Sequence, residues 1–293
     1  CIFIGPPGSG KTMLARRLPS ILPPLSFEEA LEVTQIHSVA GLLKEKGSLV
    51  TSRPFRSPHH SASGPSLVGG GSFPKPGEIS LAHRGVLFLD EMTEFKRDVL
   101  EFLRQPLEDG YVTITRTRQS VEFPAQFTLV ASTNPCPCGY YGDSVQPCTC
   151  SPRSREQYWA RLSGPLMDRI DLQVVVGRLK PEEMTRVVEG EPSEKVRIRV
   201  EAARDRAHAR FQSETSLQCN ADMQSRHLRH WCPLDDTTQT LMENAVRKLG
   251  LSARATDRIL KVGRTIADLD NADTLQAQHI AEAIQYRTID RMQ

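Results

Sequence analysis

Gly5-Pro6-Pro7-Gly8-Ser9-Gly10-Lys11-Thr12 sets its glycines, lysine and threonine at the spacing G-x-x-x-x-G-K-[ST]. The apolar run Cys1-Ile2-Phe3-Ile4 leads into it, and Met13 to Leu22 follows with Leu14, Leu18 and Leu22 on one helical face. In such a strand–loop–helix unit the glycines let successive backbone N–H groups turn inward around phosphate oxygens, at the start of the following helix. Lys11 is then placed to reach the β- and γ-phosphates and Thr12 to hold Mg²⁺, with Gly5, Pro6, Pro7, Gly8, Ser9 and Gly10 forming the cradle. The segment reads as a nucleotide site.

Such a site needs an acidic strand. Gly85-Val86-Leu87-Phe88-Leu89-Asp90-Glu91 is an unbroken apolar run, the pattern of a strand buried on both faces, and it ends in two carboxylates. Asp90 is placed to hold Mg²⁺ directly or through water, and Glu91 to polarise an attacking water. A third run, Phe127–Ala131, ends in Ser132-Thr133-Asn134, and a fourth, Asp171–Val176, follows Arg169. Alternation of these strands with helices such as 97–107 predicts a doubly wound α/β sheet, whose ligands bind at the carboxyl ends of the strands. Lys11, Asp90, Glu91 and Asn134 all fall there.

The chain has 293 residues, enough for one large domain or two smaller ones. With 39% apolar and 25% charged residues it is neither disordered nor low-complexity. Lys plus Arg is 37 and Asp plus Glu is 35, so any nucleic-acid site must be a local basic one. No apolar stretch approaches the ~18 residues of a membrane-spanning helix, and a cytoplasmic setting is expected. Cys1 falls inside the first strand, which suggests a fragment of something longer.

Four of the seven cysteines cluster: Cys136, Cys138, Cys148 and Cys150 form C-x-C, nine residues, C-x-C. That points to a structural Zn²⁺ site in a reducing compartment, with free buried thiols or a redox-labile loop as the other readings. Cys219 and Cys232 read as packing. Tyr111–Phe123 alternates with period two on both sides of a polar centre, a hairpin with Arg116 and Arg118 near its tip. A pair of loop histidines, His59-His60, lacks nearby ligands for a metal. Ser26-Phe27-Glu28-Glu29 is a capping box opening a helix through Lys46. Beyond Gly177–Pro181, the best boundary, the pattern becomes helical: Ser193–Phe211, Thr237–Leu249, Ser252–Leu269 and Asp273–Tyr286. In the third of these Ile259, Val262, Ile266 and Leu269 make an apolar stripe. Mixed charges including Lys195, Arg197, Arg199, Arg206 and Arg210 suggest a solvated, salt-bridged face on the first.

Several longer blocks are more specific than the phosphate loop. Arg53-Pro54-Phe55-Arg56-Ser57-Pro58-His59-His60, Gly69-Gly70-Gly71 and Pro76-Gly77-Glu78-Ile79-Ser80-Leu81-Ala82-His83 resemble the YifB/ComM family, the magnesium-chelatase-like AAA+ ATPases. So do Asn134-Pro135-Cys136-Pro137-Cys138-Gly139-Tyr140-Tyr141-Gly142 and Leu162-Ser163-Gly164-Pro165-Leu166-Met167-Asp168-Arg169-Ile170-Asp171-Leu172. The resemblance implies a hexameric, ATP-driven DNA motor of the helicase type, promoting branch migration during natural transformation. It also implies an N-terminal Lon-protease-like domain outside this chain. Asn134 matches sensor 1. Arg169 matches the arginine finger that acts on a neighbouring subunit's nucleotide, with Arg161 a weaker candidate. Arg254 matches sensor 2, with Arg258 the fallback.

By the same resemblance the hairpin 111–123 and a second insert within 53–80 would face a central pore, with Arg116 and Arg118 gripping a DNA backbone. The expected organisation is an AAA+ α/β core over 1–178, with the four-cysteine loop at 136–150, and a helical lid over 179–293. The leading alternative is a chelatase-type or protein-remodelling ATPase that never grips DNA, an option Tyr140 and Tyr141 keep open. A third is a degenerate scaffold, against which intact Lys11, Thr12, Asp90, Glu91 and Asn134 stand.

Overall fold

A computed structural model of the chain describes residues 1–43, 45, 47–71, 73–116, 119–178, 190–214 and 217–287. They divide into two units. The first holds Cys1–Ser20, Pro24–Ile170 and the described residues from Val174 to Arg178; the second holds Ile21–Pro23, Asp171–Gln173 and the described residues from Gly190 on. Of the boundary expected at Gly177–Pro181, residues 179–181 lie outside the described residues.

The strands are β1 (Ile2–Ile4), β2 (Phe55–Arg56), β3 (Gly69–Gly70), β4 (Lys75–Pro76), β5 (Val86–Leu89), β6 (Tyr111–Arg116), β7 (Gln119–Pro124), β8 (Thr128–Thr133) and β9 (Gln173–Val175). The main sheet has the order β2-β5-β8-β1-β9. Its pairs run parallel, with Leu89 opposite Ala131 and Ile4 opposite Thr133. All four residues of β5 are buried, which is why that run reads apolar throughout. Burying such side chains contributes about 1.5–3 kcal/mol each. Because β5, β8 and β1 are neighbours, their carboxyl ends bring Asp90, Asn134 and Gly5 side by side.

Several helices depart from expectation for identifiable reasons. The first runs Lys11–Ile21 and buries Ala15, while Leu14 stays 40% exposed and Leu18 is half-buried; the small residue sits deeper than the leucines beside it. The expected helix 97–107 is two, Arg97–Glu101 and Arg104–Asp109. Pro106 lacks an N–H and its ring would strike the Phe102 carbonyl in a continuous helix, and Gly110 at φ 76° ends the second piece. The capping box at Ser26 and Glu29 is formed, but its helix spans Phe27–Val39, and Gly41 at φ 75° turns the chain well before Lys46. The hairpin pairs β6 with β7, Ile114 opposite Val121.

The second unit contains the helices Ser193–Arg210, Ser225–Trp231, Asp236–Leu249, Ala253–Leu269 and Ala277–Gln285. The short Ser225–Trp231 helix has no counterpart in the sequence reading. Its core joins Phe211, Leu228, Cys232, Met242, Ile259 and Ile280. Val262 and Ile266 pack on that core, but Leu269 is 47% exposed, beside the helix's C-cap residue Asp270. Cys232 packs as expected, whereas Cys219 heads a short 3₁₀ turn and its N–H donates to Asp222 Oδ2 at 2.9 Å. Arg210 does not belong to a solvated face. It pairs with the buried Asp268, which also binds Arg264 and accepts from Asn220 Nδ2 at 2.8 Å, because a buried carboxylate needs charge partners.

Candidate nucleotide site

Three separate strand ends build the site. Between β1 and the helix Lys11–Ile21, Gly8 and Gly10 take φ of 79° and 85°, conformations that cost a side-chain-bearing residue. Gly5 donates its N–H to Thr133 O at 3.2 Å, and a Cβ there would lie 2.1 Å from Val176 O, so the loop leaves the sheet where only glycine fits. Lys11 Nζ turns back over the loop, donating to Gly5 O at 2.7 Å, Pro6 O at 2.9 Å and Asn134 Oδ1 at 3.3 Å. Burial lowers the Lys11 pKa, opposed by the charges of Asp90 and Glu91. Ser9 Oγ is buried with no hydrogen-bond partner, a polar atom left over inside the loop.

Across the site Thr12 Oγ1 donates to Asp90 Oδ2 at 3.0 Å, and Ser132 Oγ donates to Asp90 Oδ1. A hydroxyl beside a carboxylate is a donor set that suits a hard, oxygen-seeking cation such as Mg²⁺. Glu91 has a left-handed backbone, φ 52° and ψ 50°, and its N–H donates to Ser132 Oγ at 3.2 Å. That turn leaves the carboxylate 57% exposed, with His60 Nδ1 at 3.7 Å. Thus Lys11, Thr12, Asp90, Glu91 and Asn134 come together in one unit.

Ser132 is a site residue that sequence reasoning missed, although it stands two places before Asn134 at the end of an apolar strand. A buried hydroxyl cluster lies behind it. Thr93 Oγ1 donates to Tyr158 OH at 2.6 Å, and Thr133 Oγ1 lies 3.1 Å from Thr93 Oγ1 and 3.2 Å from Tyr158 OH. No local signal marks that cluster.

The remaining arginines are dispersed. Arg169 is buried, ion-paired with Glu108, and lies on a cleft that Asp98, Glu101 and Asp109 also line. Arg161 Nη1 donates to Thr93 O at 3.3 Å and pairs with Glu94. In the second unit Arg254 is exposed at the second residue of the helix Ala253–Leu269, and Arg258 pairs with Asp171. Arg116 ends β6, and Arg118 lies outside the described residues.

The other quoted blocks act as scaffold. Arg56 binds Glu78 through two nitrogens at 2.7 Å, Arg53 pairs with Glu29 at 3.1 Å, and His83 with Glu32 at 3.0 Å. Between β3 and β4 Phe73 is 84% exposed. The rings of His59 and His60 lie against each other at a tilt of 35°, centroids 4.0 Å apart.

The four cysteines of 136–150 converge, every sulfur within 4.8 Å of the others. Burial holds the Cys136 thiol above its ordinary range, while the Tyr140 N–H draws Cys138 below it. The loop touches the phosphate loop: a Cβ on Gly139, at φ 88°, would lie 2.7 Å from Pro7 Cδ.

The family profile of magnesium chelatase, subunit ChlI, matches residues 1–184, and that of the ChlI C-terminal region matches residues 190–287. The chain is 47% identical over 292 residues to YifB of Escherichia coli, and 46% identical over 294 to the competence protein ComM of Haemophilus influenzae. Both alignments cover 99% of this chain and 56% of the relative, so the chain spans little more than half the length of either. A magnesium-chelatase 38 kDa subunit of Cereibacter sphaeroides is 25% identical over 148 residues, 46% of this chain and 44% of that protein. Among the described residues no helix is long and apolar enough to cross a membrane.

Proposed function

The chain belongs to the YifB/ComM group of the magnesium chelatase family of AAA+ proteins, and from that premise we propose that it hydrolyses ATP as a closed ring and uses the cycle to move DNA. The observation that carries the reading is the meeting of Lys11, the Thr12–Asp90 pair and Asn134 at three adjacent strand ends. Lys11 exchanges its loop carbonyls for β- and γ-phosphate oxygens, and the first-turn N–H groups of its helix bind phosphate too. Thr12 and Asp90 would hold Mg²⁺, which would supply positive charge to offset that of the phosphates. Glu91 takes the proton from the water that attacks the γ-phosphorus, and ADP leaves as the bond to its oxygen breaks. Asn134 orients that water and stays tied to Lys11. Arg169 supplies positive charge to the neighbouring subunit's γ-phosphate, so that role and the ring stand or fall together, while Arg254 supplies charge to the γ-phosphate of its own chain.

DNA is proposed as the substrate on two grounds. The relatives include a competence protein, ComM, and Arg116 ends the first strand of a two-stranded hairpin, with Arg118 two residues further along the sequence, a pair of cations that would track a phosphate backbone. Branch migration in natural transformation, in the cytoplasm, is the corresponding biological role. One observation favours the alternative of polypeptide remodelling: Phe73 stands exposed in the second insert, although an aromatic ring there also suits base stacking.

The test is steady-state ATP hydrolysis with single-stranded and branched DNA, at low and moderate salt. Salt-sensitive stimulation that disappears in Arg116→Ala/Arg118→Ala is the expected result. A turnover indifferent to DNA, in protein confirmed to form rings, would instead favour a chelatase-type or protein-remodelling motor.

A further inference from the structure

The geometry points to a tetrathiolate metal site at Cys136, Cys138, Cys148 and Cys150 whose ion, a soft-to-borderline divalent cation of the Zn²⁺ class, clamps the 136–150 loop against the phosphate loop. The spacing of the sulfurs is the first ground. Cys136 Sγ lies 3.3 Å from Cys138 Sγ and 3.6 Å from Cys148 Sγ, and Cys138 and Cys148 are also 3.6 Å apart. Four sulfurs at ~2.3 Å from a tetrahedral ion stand ~3.8 Å from one another. A disulfide would close one of these gaps to ~2.05 Å, and all four thiols are free.

The surroundings suit thiolates. The Cys138 N–H donates to Cys150 Sγ and the Cys150 N–H to Cys148 Sγ, both at 3.4 Å, and N–H groups aimed at sulfur orient ligands and stabilise their charge. On coordination four thiols release four protons to solvent, leaving a net charge of two minus on the site. Arg155 donates to Cys150 O at 3.1 Å and lies 4.3 Å over the Tyr141 ring; Arg178 lies 5.8 Å over Tyr140. Arg155 flanks the loop at Cys150, while Arg178 pairs with the loop's own Asp143 at 3.1 Å. Within residues 136–150 no helix or strand forms, so the loop has little regular structure to fix it without an ion.

The consequence for the nucleotide rests on reading the Gly5–Thr12 loop as its cradle. Gly139 lies one residue past Cys138 and meets Pro7 at a distance that admits no Cβ. Pro135, directly before Cys136, accepts from Trp159 Nε1 at 3.1 Å, and Asn134 directly precedes it. The ion therefore fixes both sides of a short segment whose start binds Lys11 and whose Gly139 buttresses the phosphate loop.

The experiment measures metal content and nucleotide affinity on the same protein preparation, with a fluorescent ATP analogue as probe. We expect about one zinc per chain, a thiolate-to-metal charge-transfer band after Co²⁺ exchange, and loss of the ion in Cys138→Ser/Cys148→Ser. Stripping the ion from unmutated protein should weaken analogue binding about tenfold, reversed by Zn²⁺; this arm stands if the double variant does not fold. Gly139→Ala should retain the ion and still lose affinity, whereas Lys11→Ala should lose affinity and retain the ion. Protein that takes up no Zn²⁺ or Co²⁺, or whose cysteines pair as disulfides, overturns the site. Unchanged affinity after stripping overturns the clamp. Loaded protein that binds no analogue at all refutes the nucleotide reading instead, and leaves the metal count to judge the site.

Discussion

Lys11 and Arg169 are both assigned to the γ-phosphate, yet the protein holds them differently. Lys11 rests on oxygens of its own loop, the proposed phosphate cradle, and on Asn134 of the same chain. Arg169 is buried against Glu108, on a cleft lined by further acids, with no phosphate cradle among the described residues around it. A cation that serves its own chain is pre-set beside its target. If Arg169 serves a neighbour, as proposed, Glu108 holds it until the neighbour arrives, which also spares an isolated subunit an unpaired buried charge.

The largest effect should come from Arg169→Ala, which removes a finger worth about 10³–10⁵ in turnover. Mixing those subunits with Lys11→Ala subunits should recover hydrolysis, since some pockets would then pair an intact Lys11 with an intact Arg169. Failure to recover, with rings present, would make Arg169 only the partner of Glu108 and break the contrast. Glu91→Gln comes next, losing about 10²–10⁴ in rate while ATP stays bound. Glu91 acts on the Lys11 side of the comparison, so mixing Glu91→Gln with Lys11→Ala should recover nothing. Recovery there would remove Glu91 as the base. Glu108→Gln should have the smallest effect, about 1 kcal/mol in thermal or denaturant unfolding, because its carboxylate is part-exposed. A much larger loss would mean that Arg169 is a structural cation.

Sequence legibility followed the same division. The phosphate loop, the acidic strand and Asn134 were readable because each chemical group lies within a few residues of the apolar run that positions it. The sheet followed from those runs. What escaped was long-range: Glu108 opposite Arg169, Tyr158 behind Thr93 and Thr133, and Gly139 against Pro7. Each joins segments between 25 and 132 residues apart, and nothing local signals the meeting. The helix limits erred where a single residue overrode the periodic pattern, Pro106 by its missing N–H and Gly41 by its turn.

The left-handed backbone at Glu91 has an outcome for anyone who selects this protein for robustness. A glutamate at φ 52° costs roughly 1 kcal/mol or more that a glycine would not. Glu91→Gly should therefore raise the melting temperature slightly while removing the carboxylate. A thermostability screen run without an activity readout would enrich that variant, which the proposed role of Glu91 makes inactive, so position 91 would be a place where endurance and turnover are opposed.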